Sequence, residues 1–102
     1  MNNRRLEFSQ ILRDTTDIKN VYFQPQGDDK LTFPAIIYNL NKVKVDYADG
    51  IKYRNKTAYR VLVIDPDPDT VLPTKIHELP LCKFDSYYKA NNLNHYAFTV
   101  FY

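Results

Sequence analysis

Tyr59-Arg60-Val61-Leu62-Val63-Ile64-Asp65-Pro66-Asp67-Pro68-Asp69 is the stretch that decides the fold. Tyr59 to Ile64 form a short apolar run, the pattern of a central strand covered on both faces. Pro66 and Pro68 cannot donate to a strand ladder and the aspartates between them favour turns and caps, so the run stops at Asp65.

Downstream, Asp69 or Thr70 can cap a helix whose first turn holds Pro73, where a missing N–H costs little. Leu72, Ile76 and Leu79 recur at helical spacing and Pro80 closes the segment. A strand over 82–88 follows, and Asn91-Asn92 lead into a terminal strand over 94–102. Its register places Asn94, Tyr96, Phe98, Val100 and Tyr102 on one face and His95, Ala97, Thr99 and Phe101 on the other. Both faces want cover, from the chain's own core or from a neighbouring copy.

Upstream, Ala48-Asp49-Gly50 offers the strongest hairpin turn, an Asp-Gly pair able to take positive φ. Residues 51–57 are basic and poorly patterned. Ahead of the turn the apolar phase changes from Ile36, Tyr38, Leu40 to Val43, Val45, Tyr47, which requires a bulge or kink near Asn41. Lys42, Lys44 and Asp46 alternate with the second apolar set, so this part is wet on one side and projects beyond the main sheet. Earlier still, Val21-Tyr22-Phe23-Gln24 reads as a short strand ended by Pro25 and the polar turn Gln26-Gly27-Asp28-Asp29. Asn2 or Asn3 can cap an N-terminal helix over 4–13, helped by Glu7, with Phe8, Ile11 and Leu12 as its buried stripe and Leu6 at the margin. Helix, several strands, helix, two strands is the order of an α+β fold: a mostly antiparallel sheet of four to five strands with both helices packed on it.

The 102 residues are enough for a single domain, 1–102, and no second core. Fourteen basic against twelve acidic residues leave a net charge of +2, too balanced to argue for nucleic acid or membrane as a partner. The single cysteine, Cys82, excludes an internal disulfide and a cysteine-rich zinc site, and it reads as a small buried hydrophobe rather than a reactive thiol. The N-terminus lacks the apolar core of a signal peptide and no stretch approaches the roughly 20 apolar residues of a membrane span, so a soluble, unexported protein is expected. Nine Tyr, six Phe and no Trp suit half-buried faces that meet partners, or rings in a small β-rich core.

Catalytic chemistry finds little footing. Asp65, Asp67 and Asp69 could converge on a hard cation but lack the glycine and the distant glutamate of a calcium loop, so turn and helix cap is the expected role. His77-Glu78 has no second histidine at helical spacing and is expected on a solvated face. His95 stands in a strand with no nucleophile motif nearby, neither Ser9 nor Ser86 lies in a nucleophile elbow, and neither glycine belongs to a phosphate-cradling loop. No cofactor is called for. Lys42, Lys44, Lys52, Arg54 and Lys56, interleaved with Tyr47 and Tyr53, form the one basic and aromatic segment. Three readings of it stand: edge lysines that protect strands from aggregation, a protein-contact loop, and a single-stranded nucleic-acid surface.

The succession Val21-Tyr22-Phe23-Gln24-Pro25, Phe33-Pro34-Ala35-Ile36-Ile37-Tyr38, Tyr47-Ala48-Asp49-Gly50-Ile51-Lys52-Tyr53, the run from Tyr59 to Asp69, and Leu93-Asn94-His95-Tyr96 resembles the tail-terminator, or tail-completion, proteins of tailed bacteriophages. The resemblance covers most of the chain from Val21 onward, through strands and turns rather than a catalytic signature, and the chain is shorter than the lambda-type terminators. It implies a structural virion protein without enzymatic activity, assembled in the host cytoplasm. Its copies would form a six-fold ring that caps the tail tube, ends tube polymerisation and joins the tail to the head connector, or stopper, protein. Genomic DNA would pass through the lumen without sequence-specific contact, and no membrane is involved. Other small ring-forming neck proteins of the same virions are the nearest alternative. On this reading Lys42, Lys44, Asp46, Tyr47, Asp49, Lys52, Tyr53, Arg54 and Lys56 are the expected contact residues, facing the lumen or the adjacent subunit.

Overall fold

The computed structural model describes residues 4–27, 30–48 and 51–102, with the side chains at 42–56 outside that description. The chain is an α+β protein with the order α1 (Arg4–Thr16), β1 (Val21–Phe23), β2 (Ala35–Ala48), β3 (Ile51–Asp65), α2 (Leu72–His77), β4 (Cys82–Ala90), β5 (Leu93–Phe101). The five strands form one sheet in the order β1-β2-β3-β5-β4, antiparallel throughout except for β1 beside β2.

β3 is central, as its apolar run predicts. Its alternate residues Tyr59, Val61 and Val63 meet Ile36 and Tyr38 of β2 and Phe98 and Val100 of β5, and Phe8 and Leu12 of α1 with Leu72 and Ile76 of α2 close the same core. Both helices therefore lie on one side of the sheet. On the other side Ala35, Ile37, Ile64 and Ala97 are buried and Leu62 is half-buried, although neither helix covers them. Thr32 N–H donates to the Tyr22 hydroxyl at 3.3 Å, which holds Thr32 at the β1 edge of that face.

The expected stripe of α1 is met by Phe8 and Leu12, while Ile11 is half-buried and Leu6 is 55% exposed. The helix runs on to Thr16, past the expected end at residue 13, and the buried Thr16 hydroxyl donates back to the Leu12 carbonyl at 2.7 Å. Capping by Asn2 or Asn3 falls outside the described residues. α2 is short. Neither Asp69 nor Thr70 is its cap: the N-cap is Val71, without a side-chain cap bond, while the Thr70 hydroxyl just ahead of it accepts from Leu72 N–H at 3.2 Å and Pro73 stands in the first turn. The bulge expected near Asn41 is present: the β2–β3 register shifts between Leu40 and Lys42.

Residues 51–57, poorly patterned as a sequence, belong to β3, and their pairing with β2 continues through Tyr47↔Lys52 to Ala48↔Ile51. Two residues, Asp49 and Gly50, separate that last pair, the length of a two-residue hairpin loop; they lie outside the described residues. Asn91 and Asn92 make the corresponding turn between β4 and β5, both with positive φ (53° and 62°), a conformation that asparagine tolerates.

Candidate interaction surface

β5 meets β3 as far as Phe101↔Ala58, and Tyr102 N–H closes the ladder on the Thr57 carbonyl at 2.9 Å. Beyond that point β2 and β3 pair only with each other among the described residues. The two-stranded ribbon that results, residues 51–57 against 42–48, is irregular, with register shifts between Leu40 and Lys42, between Lys42 and Val45 and between Val45 and Tyr47. The expected contact residues Lys42, Lys44, Asp46, Tyr47, Lys52, Tyr53, Arg54 and Lys56 are all placed on this ribbon by their backbone; their side chains, and Asp49 entirely, lie outside the described residues. Residues 42–56 hold five cations and two carboxylates, against nine and ten in the rest of the chain. The basic excess of the protein thus resides in the ribbon.

A second exposed surface was not legible in the sequence. β4 forms the other edge of the sheet, and seven of its nine residues are exposed, including Phe84 (46%), Tyr87 (49%) and Tyr88 (45%). A register shift between Phe84 and Ser86 leaves Asp85 as a bulge, its carboxylate accepting from the Thr99 hydroxyl at 2.6 Å. In a regular strand Phe84 and Tyr87 would point to opposite faces. The bulge turns both to the helix side, where Phe84 meets Phe98 edge-on at 5.4 Å and Tyr87 lies on Tyr96 at 4.9 Å. Tyr88 goes to the far face and stacks on His95 at 4.6 Å.

The acidic turn adjoins this ring pair. Asn94, 3% exposed, donates from Nδ2 to the Asp65 carbonyl at 3.0 Å and accepts from the Tyr87 hydroxyl at 2.7 Å. Partial desolvation raises the Tyr96 phenol above its ordinary value, and Tyr87 with the carboxylates of Asp65, Asp67 and Asp69 push the same way. Within the turn Asp65 Oδ1 accepts from Asp67 N–H and Asp67 Oδ1 from Asp69 N–H, each at 2.9 Å. These Asx turns are the role expected of the aspartates. Among the described residues no three His, Cys, Asp or Glu side chains are grouped as metal ligands would be.

His95 Nδ1 bonds the Leu93 carbonyl at 3.0 Å, and the buried Ser9 hydroxyl is bonded to the Tyr38 hydroxyl. Cys82 is half-buried, and burial, then the nearby Asp85 carboxylate, push its thiol up to about 11. No described helix is long and apolar enough to cross a membrane.

Between the end of β5 and α1 lies an open apolar hollow of about 220 Å³, walled by Phe8, Ile11, Leu79, Leu81, Val100 and Tyr102 among others. Leu81, with a φ of 57°, turns the chain at its rim. Lined by carbon rather than by convergent polar groups, the hollow suits an apolar side chain and offers nothing for bond-making. No family model, curated protein or solved structure matches the chain.

Proposed function

We propose that this chain is a structural protein of the phage virion neck, a tail terminator whose copies close into a ring, six-fold by the resemblance, that caps the tail tube and joins it to the head connector. The observation that carries the reading is the β2–β3 ribbon, which leaves the sheet at Ala58 with the basic excess of the chain upon it. A protein that folded only for itself would gain little by extending an unsupported two-stranded ribbon, which is marginally stable in water without further cover. The exposed rings of β4 add a second contact surface, and tyrosine and phenylalanine are favoured at interfaces. Repeated contact between two different surfaces of one chain closes into a ring when the rotation permits. Another connector position in the same neck fits these features equally, and the partner chain decides between them.

Removing residues 46–56 and closing the ribbon with a short turn is the direct test. The shortened protein should fold, since the core residues among those described all lie outside the ribbon, while joining of heads to tails is lost. Normal assembly of infectious particles with the shortened protein would refute the reading. Binding of the ribbon to single strands, strong at physiological salt, would favour a nucleic-acid module instead.

A further inference from the structure

The ribbon and the acidic turn stand at opposite ends of β3. Nine residues of strand separate position 56 from Asp65, about 30 Å at the usual rise. From Ala58 to Asp65 β3 is paired to β5, and to β2 as far as Ile64, so that length of sheet lies between the base of the ribbon and the turn of its own chain. Yet the two ends are complementary. One bears five cations and two carboxylates with Tyr47 and Tyr53 between them. The other shows the exposed residues Asp67 and Asp69 in the turn that Asn94 ties to Tyr87, with the exposed ring of Phe84 further along the same edge and turned to the same side as Tyr87 by the Asp85 bulge. Carboxylates next to aromatic faces hold lysine and arginine by charge and by cation–π contact together.

We propose that the occupant of the Phe84–Tyr87 edge and its acidic turn is the ribbon of a second copy of this chain. This deepens the ring reading and rests on it. The contact is head-to-tail by construction, since donor and acceptor are different surfaces at opposite ends of one strand, and such contacts propagate from copy to copy until the ring closes. It does not require strand addition along β4, where Lys83, Lys89 and the bulge oppose a passing strand. Exposed ion pairs contribute little singly, so the contact gathers its strength from several charges, the rings they cover and the closure of the ring.

Charge reversal tests the pairing. Wild-type protein and the variants K52E/R54E, D67K/D69K and all four substitutions together are compared for mass by light scattering at low and high salt, with circular dichroism to confirm folding. Each two-site variant should lose assembly, with the apparent dissociation constant raised about tenfold or more. The four-site variant, and a one-to-one mixture of the two reversed variants, should regain it, since each reversed ribbon then meets a reversed turn. Assembly of the two-site variants at wild-type strength, or failure of both rescues, would overturn this contact while leaving the ring reading intact. A wild-type protein that stays monomeric at every salt would overturn both. Loss of single-stranded DNA binding in K52E/R54E with assembly unchanged would assign the cations to nucleic acid and likewise overturn the contact.

Discussion

Asn94 and Asp65 are partners twice over: they face each other at the last paired position of β5 and β3, and the Asn94 side-chain amide donates to the Asp65 carbonyl at 3.0 Å. The same side chain accepts from the Tyr87 hydroxyl, so one buried amide ties the end of the central strand, the acidic turn and the exposed edge strand together. Replacing Asn94 with alanine strands a buried carbonyl and frees Tyr87. The expected loss is about 1–3 kcal/mol in urea unfolding, with m unchanged. Asn94→Asp should be no milder, because a carboxylate there cannot donate to Asp65 and adds charge beside three others. Wild-type stability in either variant would remove Asn94 from this role.

Tyr38 is fully buried, and its hydroxyl is bonded to Ser9, with the Arg5 guanidinium at 3.4 Å. Tyr38→Phe leaves the buried Ser9 hydroxyl without that bond and should cost about 1–2 kcal/mol. Adding Ser9→Ala to it should cost less than the sum of the two single changes, the sign of direct coupling in a double-mutant cycle. Strict additivity would show that the two hydroxyls do not act on each other.

Phe8 gathers the rings of the core. It stacks on Tyr59 at 4.8 Å and Tyr102 at 5.3 Å and meets Tyr38 edge-on at 5.5 Å. Phe8→Ala should cost about 3–5 kcal/mol, a large share of the stability of a domain of this size. Thermal unfolding reads it directly, and a Tm within a few degrees of wild type would show that α1 is not anchored through this ring.

Much of this arrangement was legible in the residues. Pro66 and Pro68 fixed the end of β3, the phase change after Leu40 located the bulge, and the alternation from Asn94 to Val100 gave the buried face of β5. The surface of β4 was not legible, because the Asp85 bulge decides which rings share a face and the sequence around it keeps no strict alternation to reveal the slip. Nor did the sequence show that residues 51–57 continue β3. Their basic, unpatterned character lacks the period-2 alternation by which a strand is read from sequence. The juxtaposition of the acidic turn with Tyr87 and Tyr96 depends on Asn94, a polar residue in an apolar strand whose buried bonds are made at a distance of 29 positions.

Cys82 offers a titration. Its thiol is held up to about 11, from an ordinary 9.0, first by burial and then by Asp85. A raised folded-state value favours the protonated thiol in the native protein, so the stability it contributes is present below pH 9 and is lost as pH rises towards 11. Iodoacetamide should therefore label native Cys82 slowly at pH 8, with a rate rising to a midpoint near 11, and Cys82→Ala should flatten the fall in stability over that interval. A labelling midpoint at or below 9 would contradict the assignment.

Assembly is the central claim, and the mass of the purified protein measures it most directly. Light scattering with negative-stain microscopy, alone and with the tail-tube protein, should show closed rings of the wild-type chain and their seating on tube ends, and a monomer once residues 46–56 are removed. A wild-type chain that remains monomeric both alone and with the tube would contradict the account.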